Sequence, residues 1–175
     1  MSTYKFAASV GLLLFSVMAS SQESPGLGEP LSADQITDID YVVLPSGDGL
    51  PEGTGTASEG ATVYQQHCLA CHGEGGADGI NDRLVGGHGS MTSSRPQKTV
   101  GSFWPYATTV FDYVRRSMPL TSPGVLSDDE MYAVTAYLLY INEIIAENDK
   151  MNARTLPQVK MPNRDNFVWD YSPTP

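Results

Sequence analysis

The 175-residue chain contains only two cysteines, three positions apart, with a histidine directly behind the second: Cys68-Leu-Ala-Cys71-His72. That spacing sets two thiols where they can form thioethers to the two vinyl groups of a haem, while the adjacent imidazole ligates the iron. Other uses of the same residues fit less well. A zinc site needs a fourth ligand beside Cys68, Cys71 and His72. A thioredoxin-like pair normally sits in a βαβ context that this sequence lacks, and a plain disulfide leaves His72 without a role. The motif occurs once, so the expectation is one covalently attached haem c with His72 as an iron ligand.

What such a haem does depends on its sixth ligand. The candidates are Met91, Met118, Met131, Met151, Met161, His67 and His88. His67 directly precedes Cys68 and is expected to face away from the iron. Met131 lies on the apolar face of a helix, where methionine is ordinary core filler. Met118 is the best placed, since it follows an amphipathic segment and is itself followed by Pro119 and a loop; Met91 and His88 remain as alternatives.

The pattern along the chain is helical. After Pro105, a favoured first helical residue, Tyr106, Val110, Tyr113 and Val114 recur at helical spacing, and Arg115 and Arg116 complement the dipole at the far end. Ser127-Asp-Asp-Glu130 is a capping box ahead of Met131, Val134, Tyr137, Leu138, Ile141, Ile144 and Ile145 on one face. A helix capped by Ser58 is expected to lead into the cysteines, and the Gly-rich residues 73–90 to form irregular loop. The loop beginning Ser46-Gly-Asp-Gly lacks the spacing and the lysine of a phosphate cradle.

Residues 1–19 read as a secretory signal peptide: Lys5 near the start, then a mostly apolar run of 14 residues, shorter than the roughly 20 that span a bilayer. Export to the periplasm follows from that reading, with no membrane span in the mature chain. Residues 20–57 form an acidic N-terminal arm, either a solvated leader or a docking element. Residues 20–67 carry eight carboxylates and no Lys or Arg. Residues 58–148 make the haem domain. Residues 149–175 make a Pro-rich C-terminal strap packed by Leu156, Val159, Met161, Phe167 and Trp169. The formal charge of −10 argues against nucleic acid or an anionic membrane as partner and for a partner that is locally basic.

This arrangement resembles the class I c-type cytochromes: a helix into C-x-x-C-H, a loop, a helix, a Met-Pro loop and a capped last helix that packs across the first. Residues 101–119 (GSFWPYATTVFDYVRRSMP), 127–137 (SDDEMYAVTAY) and 161–164 (MPNR) are similar to the cytochrome subunits of periplasmic molybdenum sulfite dehydrogenases and of the sulfur dehydrogenase of the bacterial sulfur-oxidation (Sox) system. The similarity spans about residues 36–167. It implies an all-α class I cytochrome fold, haem attachment at Cys68 and Cys71, His72 as proximal and Met118 as distal ligand. It further implies electron transfer without bond chemistry, from a molybdenum-containing sulfite or sulfur dehydrogenase to a downstream cytochrome c or oxidase.

There are two departures. The Sox cytochrome often carries a second haem domain, and residues 80–87 (INDRLVGG) contain no proline whose carbonyl could hold the histidine, leaving open which carbonyl does. The haem propionates need donors, for which Trp104, Tyr106, Arg115 and Arg116 are the candidates; for the tandem arginines a solvated helix end is the alternative. The pocket is expected to be lined by Leu84, Val85, Val100, Phe103, Val110, Phe111, Val114, Leu120 and Leu138. Two rival functions stand beside the main one: acceptor of an alcohol dehydrogenase, and a haem enzyme with an exchangeable sixth position, such as a thiosulfate dehydrogenase.

Overall fold

The computed structural model describes residues 27–168; the expected leader and Trp169 lie outside them. In chain order the elements are α1 (Ala33–Ile39), β1 (Thr54–Gly55), α2 (Ala57–His67), α3 (Leu69–His72), α4 (Ala107–Ser117), α5 (Asp128–Ile141) and β2 (Met151–Asn152). Single 3-10 turns at Glu74–Gly76, Ser90–Thr92, Leu156–Gln158 and Arg164–Asn166 complete the list. Among the described residues the regular structure is mostly helical, with one small antiparallel sheet that pairs Thr54 with Asn152 and Gly55 with Met151.

It divides at Ile39 into two units. In the first, α1 opens on a reciprocal pair that the sequence pattern S-x-x-Q permits: Gln35 N–H donates to Ser32 Oγ at 3.3 Å, and Ser32 N–H to Gln35 Oε1 at 2.9 Å.

The second unit is organised around α5. Its Tyr132, Val134, Thr135, Ala136 and Leu139 are all fully buried, so the helix is covered on most sides rather than on the one face its periodicity predicts. α2 packs along one side, where Gly60 lies against the Ala133 carbonyl. On another side Phe111 of α4 meets Tyr132 with ring centroids 4.8 Å apart. The C-terminal segment adds Leu156, Val159 and Met161 to the same core, as expected of it, and Met151 joins them, whereas Phe167 is half exposed.

The helix ends correct the sequence reading in three places. α2 is capped by Thr56 rather than Ser58, because Thr56-x-x-Glu59 closes a full capping box in which Glu59 Oε2 accepts from Thr56 N–H at 2.8 Å. Pro105 lies outside α4, which starts at Ala107 behind Tyr106. α5, correctly capped by Ser127 and Glu130, stops at Ile141 instead of running through Ile145. Asn142 ends it: its buried amide donates to the Leu138 carbonyl at 2.8 Å and to the Leu84 carbonyl at 3.0 Å, and Glu143 then turns into the left-handed region at φ 59°. That contact also pins the loop carrying Leu84 to the helix.

The second half of the acidic segment packs on this unit. Val43 is buried and its N–H donates to Asp112 Oδ1 at 2.9 Å, and Tyr132 Oη donates to the Pro51 carbonyl at 2.8 Å. Asp112 is in turn gripped by Arg116 one turn along α4.

The two capping boxes carry a pH dependence. Hydrogen bonds from the Thr56 side chain and N–H hold the Glu59 carboxyl below its ordinary value of 4.5, and those from the Ser127 N–H and side chain do the same for Glu130. A carboxyl lowered in the folded state contributes stability that is complete above the unfolded value and lost as pH falls through the folded one. Thr56→Ala and Ser127→Ala are each expected to cost about 1 kcal/mol at neutral pH, a difference that shrinks below pH 4.5. Urea unfolding of wild type and variants at pH 7 and pH 3 checks it.

Candidate metal and cofactor centre

α2 carries the chain into the C-x-x-C-H motif, Cys68 is the junction between the two helices, and α3 holds the rest of the motif. Tyr64 Oη, one turn before Cys68, donates to the Gly73 carbonyl at 2.8 Å, and burial pushes its pKa up to about 12. Gly73, with φ 76°, turns the chain away directly after His72; a Cβ there would overlap the Ala77 carbonyl. Asn81 N–H then returns to the Cys71 carbonyl at 2.9 Å, bringing the next loop under the histidine.

That loop answers the question left open by the missing proline. His72 Nδ1 lies 2.9 Å from the Asp82 carbonyl oxygen. A histidine that donates from Nδ1 presents Nε2 as a lone-pair donor in a fixed orientation, the tautomer that a metal requires. Any residue type offers a backbone carbonyl, which is why no side-chain signal marked the position.

Cys68, Cys71 and His72 all face one cavity of about 740 Å³, within the roughly 300–1,000 Å³ of small-molecule and cofactor pockets. Met118, with the cis Met118-Pro119 bond after it, lines the same cavity. Met91 does not. It borders a separate cavity of about 580 Å³ with Pro162, Asn163 and Phe167. His88 is also outside, its ring placed against Gly101. His67, expected to face away, contributes to the wall. Met131, Met151 and Met161 are buried in the core.

Of the expected apolar lining, Leu84, Val100, Phe103, Val110, Val114, Leu120 and Leu138 are present. Val85 and Phe111 are not, Phe111 being fully buried between helices against Tyr132. Val134 of α5, Tyr113 of α4 and Ile80 join the wall instead.

The expected propionate donors separate. Trp104 lines the cavity, its ring tilted against that of Tyr113 with centroids 5.4 Å apart. Tyr106, Arg115 and Arg116 do not line it. Tyr106 lies under the Arg164 guanidinium, at 4.6 Å. Arg115 pairs with Asp128 at 3.7 Å and covers the Tyr41 ring, while Arg116 is spent on Asp112. The cations at the cavity mouth are Arg83 and Lys98, both exposed and neither singled out by the sequence. Arg83 reaches Gln97 Oε1 at 3.4 Å, and Lys98 sits over Phe103.

These residues fit a covalently held haem: two thiols and an oriented imidazole on one wall, a thioether in the same space, apolar side chains from α4 and α5, and cations at the mouth. They fit other groups poorly. Burial, then the neighbouring Cys71, pushes the Cys68 thiol up to about 11, so it is no ready thiolate for disulfide exchange. Among the described residues no group of three or more His, Cys, Asp and Glu could by itself hold a metal ion.

Comparison with known proteins agrees. The family described as Cytochrome C oxidase, cbb3-type, subunit III matches residues 55–138. One chain of the crystal structure of the sulfane dehydrogenase SoxCD from Paracoccus pantotrophus is 42% identical. It superposes with a TM-score of 0.76 over 84% of this chain and 73% of its own. No curated protein matches. No helix among the described residues is long and apolar enough to cross a membrane. Identity and coverage of this extent, on a fold with the helix order and Met-Pro loop set out above, make this chain a member of the class I c-type cytochromes.

Proposed function

We propose that this chain is the electron-accepting subunit of a periplasmic molybdenum dehydrogenase that oxidises sulfite or another reduced sulfur compound, handing electrons on to a downstream cytochrome c or oxidase. The observation that carries the reading is the convergence of Cys68, Cys71, His72 and Met118 on one apolar cavity. The likeness to a SoxCD chain supports the sulfur substrate class. When bound, a single haem c supplies reversible one-electron storage.

The residues divide the remaining work. Cys68 and Cys71 anchor the group covalently. His72, held at Nδ1 by the Asp82 carbonyl, offers Nε2 to the metal, and Met118 offers its sulfur from the Met-Pro loop. Val110, Val114, Val134 and Leu138 keep water from the cavity. Arg83, Lys98 and the Trp104 indole take the propionates; of the four donors the sequence suggested, Trp104 keeps that task while Tyr106, Arg115 and Arg116 do not line the cavity.

Stopped-flow mixing with the reduced dehydrogenase tests the function directly: haem reduction within the enzyme's turnover time is expected, and no reduction overturns it. Because the acidic residues are concentrated before the haem motif, encounter with a basic partner is steered. The second-order rate should fall about tenfold from low to moderate ionic strength. Asp48→Asn with Glu52→Gln should flatten that dependence. A rate indifferent to salt would count against electrostatic guidance.

A further inference from the structure

We infer that residues 27–44 form a docking arm that seats in an apolar groove, bordered by lysines and arginines, on the catalytic subunit of the dehydrogenase; this rests on the chain being that enzyme's electron acceptor. The arm's side chains are the wrong kind for a solvated leader. Leu27, Leu31, Ile36, Ile39, Tyr41, Val42 and Leu44 each expose close to half of their surface or more, and of the large apolar residues in the stretch Val43 alone is buried. A segment that stays in water has no use for that many apolar side chains, whereas one that folds onto a partner needs them.

Charge narrows what the partner is. Glu29, Asp34, Asp38 and Asp40 are interleaved with the apolar residues, and no Lys or Arg occurs anywhere in residues 20–67. An anionic lipid surface repels such a segment, and so does a second copy of a chain whose formal charge is −10. A protein groove with a basic rim attracts it and takes the apolar side chains.

Two further observations point the same way. The family match begins only at residue 55, yet the likeness to the SoxCD chain covers 84% of this protein, a share that cannot be reached without residues upstream of 55. What precedes the haem domain is therefore shared with a chain crystallised in a dehydrogenase. The root of the arm is also fixed where it matters. Val43 is tied to Asp112, Asp112 to Arg116, and Arg115 lies over Tyr41 at 5.8 Å, all on α4, the helix that delivers Met118. A partner that grips the arm is tethered through this root to the haem domain at high effective concentration.

The test uses the full haem-loaded chain, the isolated catalytic subunit of the dehydrogenase as probe, and the double variant Ile36→Ser/Ile39→Ser, whose altered side chains are exposed. The variant is expected to bind about 100-fold more weakly by calorimetric titration, since two apolar side chains that the complex would desolvate have been lost. Its reduction potential and its rate of haem reduction at saturating partner should equal wild type. Equal affinities, with both proteins reduced, overturn the arm and leave the electron-acceptor reading standing. A wild-type chain neither bound nor reduced overturns both. Association of the wild-type chain with phosphatidylcholine–phosphatidylserine vesicles, or a dimer in sedimentation that the variant abolishes, overturns the basic groove in favour of that occupant.

Discussion

Met118→Ala is expected to turn an electron carrier into a ligand-binding protein while leaving the haem attached. Among the described residues Met118 is the one methionine lining the cavity that Cys68, Cys71 and His72 share. Alanine at that position removes the sulfur and leaves space that water or carbon monoxide can enter, so the spectrum should shift toward high spin and carbon monoxide should bind rapidly. The potential should fall by well over 59 mV, the equivalent of a tenfold change in a one-electron equilibrium, because thioether ligation favours the reduced state more than water does. Met118→His should stay six-coordinate and also lower the potential, since imidazole favours the oxidised state. Met91→Ala and His88→Ala should leave the spectrum as it is: Met91 faces the neighbouring cavity, and His88 packs against Gly101. A Met118→Ala protein with an unchanged low-spin spectrum sinks the assignment. Wild-type protein that binds carbon monoxide rapidly would do the same and put an enzyme with an exchangeable position ahead.

The features legible beforehand are those that contiguous residues encode. Cys68, Cys71 and His72 announce themselves by spacing, Ser127 and Glu130 by a cap pattern, and Met118 by the amphipathic helix before it. Thr56-x-x-Glu59 is a pattern of the same kind, overlooked in favour of Ser58. The Arg116–Asp112 pair was open to the same reasoning, since residues four apart on a helix are neighbours and the carboxylate one turn back competes with any distant propionate. Other features depend on what the chain meets in space. The Asp82 carbonyl under His72 is a backbone group, and Arg83 and Lys98 reach the cavity mouth only because the loop after the motif folds back on Cys71. The end of α5 at Ile141 rests on an Asn142 amide that finds the Leu84 carbonyl 58 positions away. The exposed apolar residues of the arm are plain in the sequence as residues, but only the structure separates them from Val43, which is buried.

The packing of α2 on α5 yields the largest stability effect, at a position that carries no chemistry. Gly60 rests directly on the backbone of α5: a Cβ there would overlap the Ala133 carbonyl and come within 2.8 Å of Tyr137 Cβ. Neither neighbour can yield, since Ala133 is buried in the central helix and Tyr137 packs its ring against that of Tyr64, with centroids 5.0 Å apart. Gly60→Leu therefore forces the helices apart, and the cost should lie at or above the top of the usual overpacking range, about 3 kcal/mol, with Tm lowered by about 6–12 °C. A helix gains from losing a glycine, but that gain of about 1 kcal/mol is the smaller quantity here. The effect should reach the haem site, because α2 carries Cys68 while α5 supplies Val134 and Leu138 to the cavity; a smaller haem-loaded fraction on expression should accompany the lower Tm. The adjacent Ala61, exposed on the same helix, is the control, and Ala61→Leu should stay within about 0.5 kcal/mol of wild type. Thermal unfolding followed by haem absorbance separates the cases, and a Gly60→Leu protein as stable as Ala61→Leu would mean that the helices do not meet at Gly60.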